Sequence, residues 1–106
     1  MKRVLLDHCV PRPLMALLSG AACSTANQMG WAQLKNGELL AAAESLGFEV
    51  LITSDKNLRY QQNLATRQIA IIELPTNRLS QLAKYAPQVH SLLSVIAPGA
   101  YEVIAP

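Results

Sequence analysis

Aspartate occurs only twice in this chain, at Asp7 and Asp55, and cysteine only twice, at Cys9 and Cys23. Two cysteines do not make a disulfide scaffold, and a chain able to build an apolar core reads as carrying free thiols in a reducing cytosol. His8 and Cys9 are adjacent, but no second His or Cys pair stands at ligand spacing, which argues against a structural zinc site. Neighbouring side chains on an extended segment point to opposite faces, which argues against a Cys–His hydrolase. No apolar run reaches the roughly 20 residues a membrane span needs. Lys2-Arg3 followed by Val4-Leu5-Leu6 starts like a signal sequence, but Asp7 interrupts it too early. The expectation is a cytoplasmic protein with no membrane role. Charge is also scant: the net value is +2, short of the basic stripe of a dedicated duplex binder. There is no internal repeat and no low-complexity linker.

What is present is apolar: 51% of the 106 residues are hydrophobic, which excludes disorder and predicts one domain over residues 1–106. The chain is organised around the stretch from Asn36 to Asn63. Asn36-Gly37-Glu38 opens a helix with Asn36 as its cap, and Leu39, Leu40, Ala43 and Leu46 recur on one face. Gly47 stands where a left-handed residue ends the helix. Val50-Leu51-Ile52 is a short aliphatic run typical of a strand covered on both faces, and Thr53-Ser54-Asp55-Lys56-Asn57 follows at once.

Earlier, Arg3 to Leu6 reads as a strand ending in Asp7. Pro11 and Pro13 start a helix to about Ser19, with Leu14, Leu17 and Leu18 buried. Ala21 to Ala26 is strand-like, and Asn27 to Lys35 is a loop or short helix. Later, Leu58 to Leu64 suggests a helical turn with Tyr60 packed inward, and Ile69 to Leu74 is a strand. A helix capped by Thr76-Asn77 runs from Arg78 to Ile96, broken or kinked at Pro87. Pro98-Gly99 is a turn, and Tyr101 to Ile104 is a last strand. This alternation predicts a three-layer αβα domain with a mainly parallel sheet of four or five strands and right-handed crossovers.

Ligand sites in such sheets form beyond the carboxyl ends of strands, where Asp7 and Asp55 both fall. If their strands are neighbours, the two carboxylates approach one ion, with Glu38 from the first turn of the helix preceding the Asp55 strand at the rim. An all-oxygen pocket of this kind suits Mg²⁺ or Mn²⁺, which activate water and neutralise charge at a phosphodiester. Each acid also has a plain structural reading: a turn cap at Asp7, an Asx turn at Asp55, an acid on a helix dipole at Glu38. Glu44, Glu49, Glu73 and Glu102 read as solvated, and His90 as a surface or satisfied core residue. Lys56, Arg59 and Arg67 are either phosphate contacts or a solvated loop.

Taken together, Val4-Leu5-Leu6-Asp7 with Pro11, Asn36-Gly37-Glu38-Leu39-Leu40, Val50 to Leu58, Arg59 to Leu64 and Ile69 to Ile72 resemble the small PIN-like domain family. That family is related to PIN ribonucleases and to the toxins of toxin–antitoxin systems. The resemblance covers the first three quarters of the chain. It implies a PIN-type fold and a Mg²⁺- or Mn²⁺-dependent site for RNA cleavage, with Asp7, Glu38 and Asp55 as catalytic and metal-holding acids. It implies Lys56, Asn57 and Arg59 at the substrate, His8 and Thr53 as accessory groups, and an antitoxin protein or a second copy of the chain as partner. Relatives often carry an acid and an amide directly after the first Asp, whereas this chain has His8 and Cys9. A catalytically silent PIN-like module that acts through a protein partner is the alternative. A phospho-acceptor receiver domain is a third reading, weakened by the missing acidic pair after the first strand and by Lys84 falling inside a helix.

Overall fold

The structure, a computed structural model, describes residues 2–18, 20–58 and 67–106. Five short strands form one all-parallel sheet: β1 (Arg3–Leu6), β2 (Ala22–Thr25), β3 (Val50–Thr53), β4 (Ala70–Glu73) and β5 (Tyr101–Val103), in the order β2-β1-β3-β4-β5. The three central strands each carry a run of three apolar residues because both of their faces are covered.

Side-chain alternation divides the core in two. Val4, Leu6, Val50, Ile52, Ala70 and Ile72 point to one face, and Leu5, Leu51 and Ile71 point to the other. The first face is covered by a 3₁₀ helix (Arg12–Leu17) and by two short α-helices, α2 (Leu79–Leu82) and α3 (Ala86–Val95), through Leu14, Leu82, Val89 and Leu93. The second is covered by α1 (Asn36–Ser45), which places Leu39, Leu40 and Ala43 on the sheet. Phe48 completes that layer, with its ring edge-on to Trp31 at 6.0 Å. The domain is therefore a three-layer αβα sandwich.

Several expected details differ. The segment after Pro11 is a 3₁₀ helix, closed by i to i−3 bonds from Leu14 to Pro11 and from Leu18 to Met15. Pro13 lies in the first turn, where its missing N–H costs no helical bond. Leu14 is buried, whereas Leu17, at the end of the 3₁₀ segment, is 42% exposed. Asn36 is the first helical residue of α1, not its cap. The cap is Lys35, whose N–H donates to Glu38 Oε1 at 3.4 Å; a lysine side chain has no acceptor to return the bond. Leu46, at the helix end, is 48% exposed and does not join the apolar face. Gly47 does adopt the left-handed conformation, with φ of +82°.

Pro87 lies in the first turn of α3, where its missing N–H is harmless. A 3₁₀ turn (Ala83–Tyr85) joins α2 to α3, so the break divides one expected helix into two. The expected helical turn from Leu58 to Leu64, with Tyr60, lies outside the described residues except for Leu58, which is buried.

The crossovers do not share one hand. The connections β2→β3 and β4→β5 step across the sheet in the same direction, yet α1 covers one face and α2 with α3 the other. Equal direction on opposite faces means opposite hands. The β1→β2 connection steps the other way over the α2–α3 face, so it shares the hand of β2→β3. Among the crossovers formed by described residues, the last is thus the odd one. It carries two helices and runs from Leu74 to Ala100, so the strand twist that biases a short crossover constrains it less.

Candidate functional site

Three strands end alike: Val4-Leu5-Leu6-Asp7, Val50-Leu51-Ile52-Thr53 and Ala70-Ile71-Ile72-Glu73. Leu6 pairs with Ile52 and Thr53 pairs with Glu73, so these terminal polar residues form a row across β1, β3 and β4. All three stand two residues after a member of the α1-facing set, Leu5, Leu51 or Ile71, and so share that face.

Asp7 is 7% exposed and Thr53 is fully buried. Burying a carboxylate is costly unless it is bonded, and Asp7 is bonded at both oxygens. The His8 N–H donates to Oδ1 at 2.7 Å, and the Thr53 hydroxyl donates to Oδ2 at 2.8 Å. The same hydroxyl oxygen accepts the Asp55 N–H at 3.0 Å. Asp55 in turn accepts the Asn57 N–H on Oδ1 at 2.9 Å, forming an Asx turn. One buried hydroxyl therefore links the turn after β1 to the turn after β3.

Asp7 and Asp55 open into one cleft of about 390 Å³, which is also lined by His8, Cys9, Asn36, Ser54 and Asn77. It sits beyond the carboxyl ends of β1 and β3, the place where a sheet of this order changes winding direction. Cys9 lies 4.0 Å from Asp7 Oδ2 and 3.8 Å from the Thr53 hydroxyl, with its thiol free. The exposed His8 ring is anchored by Nε2 at 3.0 Å from the Leu34 carbonyl, which ties the turn after β1 to the loop before α1.

The remaining sequence-derived residues fall as follows. Glu38 is exposed, bonded to the Lys35 N–H, and does not line the cleft; Asn36, two residues earlier, does. Lys56 and Asn57 are exposed on the turn after Asp55. Arg59 lies outside the described residues. Arg67 is not a free phosphate contact: Nη1 pairs with Glu44 at 2.7 Å on the flank of α1.

Glu44 and Glu73 are not solvated as expected. Burial pushes the Glu44 carboxyl up, but bonds from Arg67, Gln68 N–H and Ile69 N–H, with the Arg67 charge, outweigh it and hold it below its ordinary value. Glu73 is 4% exposed and accepts the Tyr101 hydroxyl at 2.7 Å. The signal for Glu73 was in the sequence: it holds the same position after its apolar triplet as Asp7 and Thr53 hold after theirs. Burial also raises the Cys23 thiol.

Among the described residues no three His, Cys, Asp or Glu side chains converge to hold a metal ion by themselves. The cleft nevertheless has a hard donor set: two carboxylates, the Ser54 hydroxyl and the amides of Asn36 and Asn77. Mg²⁺ keeps several of its waters and takes one or two carboxylates, so these residues fit a partly hydrated cation rather than a closed cage. Among the described residues no helix is long and apolar enough to cross a membrane. Comparison with protein-family models, with curated proteins and with solved structures finds no match for this chain.

Proposed function

We propose that the chain is a PIN-like ribonuclease assisted by Mg²⁺ or Mn²⁺, acting as the toxin of a toxin–antitoxin pair, with the Asp7–Asp55 cleft as its active site. The observation that carries this reading is the pair of acids from two strand ends, opening into one cleft and joined through Thr53. A cation bound there supplies an activated water and neutralises charge on the phosphodiester. Asp7 and Asp55 hold it. The Thr53 hydroxyl and the Cys9 thiol take Oδ2 of Asp7 and the His8 N–H takes one lone pair of Oδ1, which leaves Oδ1 a lone pair to give. Asn36, Asn77 and Ser54, which line the cleft, would bond to phosphate oxygens. Lys56 stands at the backbone of the RNA. Glu38 stays in its helix cap, outside the first set of ligands.

One observation favours the second reading, a silent module that works through a protein partner. Asp7 is engaged at both oxygens, Asp55 in a turn and Glu38 in a cap, so each acid has a structural task without a cation. Thermal unfolding with added Mn²⁺ separates the two. A cation that binds the native state raises the melting temperature with concentration, by about 2.7 kcal/mol of stability at a hundredfold excess over Kd. The nuclease reading expects this rise in wild type and its loss in Asp55→Asn. His8→Glu, which restores an acid after Asp7, is expected to strengthen the rise. No rise in wild type would leave the silent module.

A further inference from the structure

His8 stands between two clefts. Asp7 and His8 line both of them. One holds Asp55. The other, about 320 Å³, opens toward the end of β2 and is lined on its far side by Arg12, Asn27 and Gln28. The bond from the His8 ring to the Leu34 carbonyl holds the partition in place.

The two clefts differ in chemistry. Asp7 is the only acid lining the second, at its boundary, and its oxygens already accept from His8 and Thr53. Arg12 is exposed and has no ion pair or hydrogen bond among the described residues, unlike Arg3 and Arg67, which bond to Leu46 and Glu44. Gln28 accepts the Thr25 N–H on Oε1, and its own N–H is taken by the Thr25 hydroxyl. The amide is thereby pinned by its oxygen, and its NH₂ group is the end left to donate. A fixed amide donor beside an unpaired guanidinium makes an anion-accepting cleft. It directly adjoins a cleft suited to a cation.

We infer that the Arg12 cleft takes the next phosphodiester of the same nucleic-acid strand whose scissile phosphate lies at Asp7 and Asp55. This rests on the nuclease reading of the first cleft. The guanidinium fork pairs with two phosphate oxygens at once, and the Asn27 and Gln28 amides face the adjoining sugar or base. The strand crosses over His8, so the ring stands beneath the sugar between the two phosphates. A substrate with one phosphodiester then fills only half the site.

The test compares two substrates under Mn²⁺: single-stranded oligouridylate and bis(p-nitrophenyl) phosphate, which has a single phosphodiester. For wild type, Arg12→Gln, Arg12→Lys and Lys84→Gln, the readout is the ratio of kcat/KM on the oligonucleotide to that on the small ester. Lys84 lies against the Tyr85 ring and lines neither cleft, so its variant makes the same charge change elsewhere. Arg12→Gln is expected to lower the ratio about tenfold, as one lost charge-assisted bond would. It should also reduce the salt dependence of oligonucleotide binding by about one phosphate contact. Arg12→Lys, which keeps the charge and loses the fork, should fall between. An unchanged ratio in Arg12→Gln overturns the second subsite and leaves the first cleft's reading intact. An equal fall in Lys84→Gln means general charge attraction and overturns it too. Hydrolysis of neither substrate by wild type overturns the nuclease reading, and this inference with it.

Discussion

Fully buried Thr53 donates its hydroxyl to Asp7 Oδ2 at 2.8 Å, and Asp7 is 7% exposed where it lines the cleft. Thr53→Val keeps the shape and removes the bond. It strips Asp7 of one donor and the Asp55 N–H of its acceptor, so it should cost about 1–3 kcal/mol. For a domain of this size that is a fall of roughly 5–15 °C in melting temperature. Thr53→Ser retains the hydroxyl and should recover most of the loss. Thermal unfolding followed by circular dichroism distinguishes them; equal melting of wild type and Thr53→Val would mean that the bond adds no net stability.

Glu73 has no solvated alternative at 4% exposure, and Tyr101 supplies its hydroxyl bond across to β5. Tyr101→Phe should destabilise by about 1–2 kcal/mol, because the carboxylate loses a buried donor. Denaturant unfolding should show a lower midpoint with an unchanged slope, since the surface exposed is the same.

Glu44 makes stability pH-dependent. Its folded carboxyl lies below the ordinary value, so its contribution is complete above the unfolded pKa, about 4.3, and fades as pH falls through the folded one. Glu44→Gln should therefore melt lower than wild type at pH 7. The gap should narrow progressively below about pH 4, where wild type loses the charge as well. Melting curves across pH 2–7 check the sign. A gap that widened in acid would be inconsistent with this assignment.

Gly99 has φ of +77°, and a Cβ there would stand 2.9 Å from the Arg67 carbonyl oxygen. Gly99→Ala combines a left-handed penalty of about 1 kcal/mol with backbone overlap, so the total should exceed that figure. Gly30→Ala shares the left-handed geometry but meets nothing within 4 Å, and should cost less. The difference between their unfolding free energies measures the overlap alone.

The strands and their parallel order could be read from the sequence because each central strand is a short apolar run with a polar stop. Gly47 could be read because a helix end before a strand needs a left-handed residue, and it has one. Which leucines are buried was harder. Leu17 and Leu46 continue the helical spacing, but each stands at the end of its helix, and both are exposed there. Periodicity gives a face and not the point where the neighbour stops. At the site, Asp7 and Asp55 were visible as acids after strands. Glu38 was visible as a helix-start acid, but its rotamer follows from Lys35 being the cap, which spacing does not reveal. The Thr53 link depends on register between β1 and β3, and register is a property of the assembled sheet.

The most direct test of the central claim is cleavage of single-stranded RNA by wild type and Asp55→Asn, prepared side by side, with Mn²⁺ and with EDTA. Asparagine retains the Oδ1 acceptor that holds the Asn57 N–H, so the substitution removes the charge and keeps the turn. The account predicts Mn²⁺-dependent cleavage by wild type, none in EDTA, and a fall of at least about a hundredfold in Asp55→Asn, since a charged ligand to a hard cation is lost. Equal cleavage by the two proteins, or none by wild type in Mn²⁺, would contradict it.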